Sequence, residues 1–157
     1  YNTFDNDDYN ALVRGTELDY LWGAYASFNF GKDWNLLGNY ERVNYNSNIN
    51  STVRGDEDSA TVWIGRLTYG KAVMATPKTW DAWVEYLNSD KGALLGGATN
   101  SWRDDSVLDN VKSWGVGIDY TLAKNVVLTA AQTFGTKAKH GSDDPDEFTD
   151  VEINFLF

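Results

Sequence analysis

Carboxylates are the one reactive side chain this sequence holds in quantity. It has 23 Asp and Glu, 13 Lys and Arg, one His and no Cys in 157 residues. Ser–His and Asp–His chemistry needs a positioned imidazole. The single candidate, His140, sits beside Lys139 and Gly141 in a charged stretch that reads as a loop tip. A carboxylate pair can hydrolyse glycosides, but the acids here recur at alternate positions along apolar segments, as wall residues of a channel would. Gly96-Gly97 has no helical pattern after it and forms no phosphate loop. The absence of Cys removes thiolate metal sites and a disulfide framework. Asp5-Asn-Asp-Asp-Tyr-Asn10 lacks the glycine of a calcium-binding loop. The formal net charge of −10 argues against nucleic acid as a partner. The sequence therefore predicts no catalytic residue, no cofactor and no metal site, and a protein that is not an enzyme.

The polar residues that do form a pattern are Glu17, Asp19, Asn29, Asn39, Glu41, Arg66, Asp81, Glu85, Ser113, Asp119, Glu152 and Asn154. Each lies in a segment where apolar residues occupy the alternate positions. In residues 15–30 the even set Leu18, Tyr20, Trp22, Ala24, Ala26, Phe28 and Phe30 is wholly apolar, while the odd set is mostly polar or small. Period two is the signature of an extended strand with two unlike faces. Gly23 and the aromatic content weigh against a helix. The alternation returns in Trp34, Leu36, Gly38, Tyr40; in Trp63, Gly65, Leu67, Tyr69; and in Trp80, Ala82, Val84, Tyr86. It continues in Trp114, Val116, Ile118, Tyr120, Leu122; in Val126, Leu128, Ala130, Phe134; and in Val151, Ile153, Phe155, Phe157. Exceptions occur: Val62 and Ile64 spoil one polar face, and Gln132 one apolar face. The predicted fold is all-β, with seven antiparallel strands.

Two further features turn strands into a barrel. The connections at 31–33, 70–78 and 123–125 are the shorter set, and those at 45–59, 88–110 and 137–147 the longer. Membrane barrels have brief turns on the periplasmic side and longer loops outside. Aromatics gather at strand ends, as Phe30 and Trp34 do around one turn and Tyr69 and Trp80 around the next, where interfacial rings belong. The first strand is also longer than the 5–6 residues usual in soluble sheets and matches the roughly 9–11 needed to span a bilayer. No run approaches the 18 apolar residues of a membrane-spanning helix. A sheet in lipid must close on itself. Bacterial single-chain barrels have even strand numbers with both ends periplasmic, so a seven-strand count predicts that residues 1–157 are the C-terminal part of one larger transmembrane β-barrel, of about 16 strands. The alternative is a small eight-stranded barrel with a displaced first strand.

The pieces Thr76-Pro-Lys-Thr-Trp-Asp-Ala-Trp-Val-Glu-Tyr86 and Lys112-Ser-Trp-Gly-Val-Gly-Ile-Asp-Tyr-Thr-Leu-Ala-Lys-Asn-Val-Val-Leu-Thr129 resemble porins of diderm Firmicutes that carry an N-terminal S-layer homology domain. The resemblance implies an outer-membrane porin, trimeric, passing small hydrophilic solutes. Its tether to the cell wall would lie in a domain absent from these residues.

On this reading Glu17, Asp19, Asn29, Asn39, Glu41, Arg66, Asp81, Glu85, Asp119, Glu152 and Asn154 line the lumen, with no large apolar layer to fill it. Their acidic balance predicts a weak cation preference, against the simpler expectation of sieving by size. A structural outer-membrane anchor with little or no conductance, and a soluble β-barrel or lectin-like binder, are the competing function classes. Partners are the lipid bilayer and two further copies of the chain. Acids at Asp5, Asp7 and Asp8, at 56–58, at Asp104, Asp105 and Asp109, and at 143–147 offer oxygen ligands for divalent-cation bridges to lipopolysaccharide phosphates. Solvated surface charge is their simpler role. The expected location is the bacterial outer membrane, with the C-terminus periplasmic.

Overall fold

The structure, a computed structural model, describes residues 2–3, 18–45, 58–93, 102–104, 107–141 and 143–156. These form one antiparallel sheet and no α-helix. Its strands are β1 (Asn2–Thr3), β2 (Leu18–Phe30), β3 (Trp34–Tyr45), β4 (Ser59–Gly70), β5 (Trp80–Ser89), β6 (Val111–Ala123), β7 (Val126–Ala138) and β8 (Thr149–Phe155). Each strand pairs with the next in sequence. The seven predicted strands are β2 to β8, and β1 adds a two-residue edge. Strands β2 to β7 run 10 to 13 residues. Among the described residues no ladder joins β8 to β1 or β2, so the sheet is open rather than closed.

Register preserves the predicted faces across the sheet. On one face Phe30, Trp34 and Tyr69 are opposite one another in turn, and Tyr69 opposes Ala82. Six positions along, Tyr40 opposes Trp63, and Tyr86 opposes Trp114, which opposes Phe134. The rings touch. Trp34–Tyr69 centroids are 4.8 Å apart, Trp63–Tyr86 5.2 Å and Tyr86–Trp114 4.8 Å. Such pairs contribute about 0.5–1.5 kcal/mol each beyond area burial. Between these two aromatic rows lie aliphatic residues that face outward: Leu36 is 50% exposed and Val151 68%. Eight residues from the turn-side row the face becomes polar, at Arg42, Thr61, Asn88 and Lys112. That is roughly 26 Å along a strand, or about 20 Å of height at the tilt of barrel strands.

The ladders shift register at three places, and in the β6–β7 pair the shifts fall between Lys112 and Trp114 and between Thr121 and Ala123. The β2–β3 register shifts between Leu18 and Tyr20, so Leu18 opposes Tyr45, and Asp19 occupies the irregularity. An extra residue in a strand reverses the facing of what precedes it.

The turns hold one another. Gly31 and Asn125 adopt the left-handed conformation that tight reversals demand, with φ of 61° and 63°. The longer β4–β5 turn folds against β6: Lys78 N–H donates to the Thr121 carbonyl at 2.8 Å, and Thr121 N–H to the Thr79 carbonyl at 2.9 Å. Asn125 N–H then donates to Met74 O (2.8 Å), and Leu156 N–H to Asn125 O (3.0 Å). With Gly70 N–H donating to Asp33 O at 2.8 Å, the three short turns and the end of β8 form one hydrogen-bonded belt.

The opposite face corrects one expectation. It carries a large apolar layer: Val43, Tyr45, Ala60, Val62, Ile64, Leu87 and Val111 are buried together with Ala93 and Leu108 of the β5–β6 connection. Each large aliphatic side chain among them contributes about 1.5–3 kcal/mol of hydrophobic stabilisation. Val62 and Ile64, which interrupt the polar alternation of β4, do so because the connection packs on them. Tyr45 donates its hydroxyl to the Gly92 carbonyl, and Gly92 N–H donates to Asp109 at 2.5 Å, which fixes the start of the connection to its end.

Candidate functional site

The inner face becomes polar toward the turns. There β4 places Arg66 directly opposite Glu85 of β5. Arg66 donates through Nε at 2.8 Å and Nη2 at 2.5 Å to one carboxylate oxygen of Glu85. The other oxygen accepts from Arg103 Nε at 3.1 Å. Arg103 comes from the β5–β6 connection, and its Nη1 also donates to Ser113. Glu85 and Arg103 are closed off from solvent, with side chains 1% and 0% exposed, whereas Arg66 is 27% exposed. Burial lowers the Arg103 pKa from its usual value, and Glu85 opposes that shift.

Two tryptophans support the pair. The Arg66 guanidinium lies 4.3 Å from the Trp83 ring centroid, and that of Arg103 lies 4.5 Å from Trp102. The two indoles meet at 5.0 Å. They fit because β6 has no side chains beneath them. A Cβ on Gly117 would stand 2.1 Å from Trp83, and one on Gly115 would stand 2.6 Å from Trp102. Among the described residues, Trp102 Nε1 and Arg103 Nη2 are buried without a hydrogen-bond partner.

Four positions along the strands from this cluster is an acidic row. Asp81 of β5 opposes Asp119 of β6, which opposes Thr129, which opposes Glu152 of β8. Asp119 accepts from the Thr129 hydroxyl at 2.5 Å and from Trp83 Nε1 at 3.3 Å. Asp81 accepts from Ala72 N–H at 2.8 Å. Cationic cluster and acidic row border a common cavity of about 270 Å³, lined also by Tyr25 and Asn39. The sheet therefore curves enough for β2 and β8 to flank one space.

Of the predicted lumen residues, Asn39, Arg66, Glu85, Asp119 and Glu152 meet at this cavity. Glu41, bonded to Asn39 at 3.0 Å, lies one inward position away. Asn29 sits exposed at the turn end, bonded to Asn35 at 2.8 Å. Asp81, in the row, and Asn154, beside it, do not line the cavity, and Asn154 donates to Glu152 at 2.9 Å. Asp19 is exposed at the β2 irregularity, and Glu17 lies outside the described residues. Sequence reasoning missed Trp83, Trp102, Arg103 and Thr129 as site residues. The readable signal was Trp83 on a polar face opposite a run of alternate glycines.

The acidic loops divide. Asp5, Asp7, Asp8, Asp56, Glu57 and Asp105 lie outside the described residues. Others bind their own chain: Asp144 accepts from Ala138 N–H at 3.0 Å, and Glu147 from Thr136 N–H and from the hydroxyls of Thr133 and Thr136. Burial raises the Glu147 pKa, but these hydrogen bonds outweigh it and hold the carboxyl below its ordinary value. Among the described residues no group of three or more acids or histidines is placed to hold a metal ion. His140 is exposed, its backbone bonded to the Asn110 side chain. No protein-family model matches the chain, and no curated protein does.

Proposed function

We propose that this chain is the barrel-forming part of an outer-membrane porin, through which small hydrophilic solutes diffuse passively. The observation that carries the reading is the contrast between the two faces of one sheet. The outer face presents an exposed aliphatic band between two aromatic rows, ending at a polar row, and the inner face carries the Arg66–Glu85–Arg103 ion pairs and the acidic row. Water penalises such a band, whereas a bilayer accepts it. The short turns and the end of β8 then lie on the periplasmic side and the longer connections outside. A homotrimer follows from the resemblance to S-layer-homology porins. Inner-face acids Glu41, Asp81, Glu85, Asp119, Asp150 and Glu152 outnumber the cations Arg66 and Arg103, which supports a cation preference.

A structural membrane barrel with little conductance is favoured by a different observation. The apolar cluster and the β5–β6 connection occupy the inner face at the long-loop end, and small barrels are filled by their own side chains. Planar-bilayer recording of the full-length protein separates the two. A porin gives discrete conductance steps, with a reversal potential on the cation side in a salt gradient. Folded, membrane-inserted protein without steps establishes the structural barrel, and an anion-side reversal removes the proposed charge selectivity.

A further inference from the structure

We infer that the cavity between Arg66 and Asp119 binds small zwitterions: solutes of amino-acid size that carry one carboxylate and one ammonium a few bonds apart. The inference rests on the barrel reading, because solutes must be able to enter the lumen.

Two guanidiniums share the Glu85 carboxylate, and of the two Arg66 is the one partly exposed, toward the cavity. Arg66 uses Nε and Nη2 on Glu85, which leaves Nη1 as a donor for a solute carboxylate. Guanidinium and carboxylate match in geometry and charge. On the other side, Asp119 and Glu152 line the same cavity. A carboxylate offers about four acceptor positions. Asp119 accepts two hydrogen bonds and faces the Asp81 carboxylate across the ladder, and Glu152 accepts one bond, from Asn154. Both retain capacity for an ammonium.

Trp83 sets the distance between the charges. It carries Arg66 on its ring face and gives its N–H to Asp119, so guanidinium and carboxylate sit about one indole apart. The ring is itself seated in the recess at Gly117, which makes the spacing rigid. A simple cation in this cavity meets Arg66, and a simple anion meets Asp119 and Glu152. Each encounters a like charge that a zwitterion pairs instead, which gives discrimination by repulsion as well as attraction. A volume of about 270 Å³ admits one such solute.

Calorimetry on the full-length protein in detergent tests this with L-leucine, its two half-charged isosteres isocaproate and isoamylamine, and glucose. Leucine should bind saturably, and each isostere at least about tenfold more weakly, since each lacks one charge-assisted hydrogen bond. Arg66→Gln should reduce leucine to the level of isoamylamine, and the isosteric Asp119→Asn to that of isocaproate. Arg66→Lys should retain part of the affinity. Leucine binding no tighter than the isosteres or glucose, or selectivity that survives both substitutions, overturns the site. Conductance of the same preparation reports on the pore separately. Steps without leucine selectivity remove the site and keep the porin, whereas selectivity without steps keeps the site and removes the porin.

Discussion

Glu85 is held between two guanidiniums with almost no access to water, so its charge is indispensable where it sits. Removing one partner of a buried ionic group leaves the others uncompensated, at a cost of about 3–5 kcal/mol. Glu85→Gln keeps the shape and loses the charge. It should lower the unfolding free energy in detergent by about that amount, whereas an unchanged value would show that the cluster is solvated. Asp90, just beyond β5, contributes differently. Burial pushes its pKa up, but the Lys139 ammonium and the hydroxyl and N–H of Thr61 hold it below the ordinary aspartate value. An acid whose folded pKa is depressed stabilises the fold above its unfolded value, near 3.9, and this contribution is lost as pH falls through the lower folded value. Asp90→Asn should therefore lower the melting temperature at neutral pH, and the gap to the parent should close as the acid limb is descended. Arg66 and Glu85 were both legible as wall residues from alternation alone. Their pairing was not, because it depends on the β4–β5 register. Arg103 could not be read at all, since it lies in a connection without periodicity.

For the strands, the sequence rule and its exceptions prove equally informative. The apolar face follows from period two, with register irregularities at Leu18–Tyr20 in β2 and at two places in the β6–β7 ladder. The exceptions on the inner face, Val62, Ile64 and Leu87, mark where Ala93 and Leu108 of the β5–β6 connection land. A hydrophobic residue on a predicted polar face reports a partner that arrives from elsewhere in the chain. Gly115 and Gly117 carry the complementary signal, an inward surface kept low to seat two indoles. Gly115→Val would place a side chain where Trp102 lies. The connection should lift, and trypsin should then cut after Arg103, which is buried in the parent. Resistance equal to the parent would show that the connection is held by the apolar cluster alone.

Across the whole molecule, the outer face decides what environment the sheet tolerates. Leu36 and Asn35 are neighbours on β3 with opposite facings, outward and inward. An arginine on the lipid face at mid-depth costs about 2–4 kcal/mol, whereas lumen positions tolerate charge. Leu36→Arg should reduce the stability of protein folded into lipid vesicles by that amount, and Asn35→Arg by well under half of it, as read from urea titration. Equal losses would place the sheet outside a bilayer. Strand count and facing were legible at this scale because every residue of a strand obeys the same two-residue period. Curvature was not, because it arises from twist accumulated over seven ladders and leaves no local mark.

The simple order of the sheet also sets a sequence of events in time. Each ladder joins neighbours along the chain, and the β2–β3, β4–β5 and β6–β7 ladders close across short turns, where the entropic cost is small. The belt of turns running from Met74 through Asn125 to Leu156 extends that economy to β8, which is positioned as soon as the β6–β7 turn exists. The β5–β6 connection obeys another schedule. Ala93 and Leu108 join one apolar cluster with Val43 of β3 and Val62 of β4, and that surface exists only once those strands have paired. The filling of this molecule therefore depends on the prior pairing of its wall at β3 and β4. A chain stalled between the two stages would hold a complete sheet with its inner face still open.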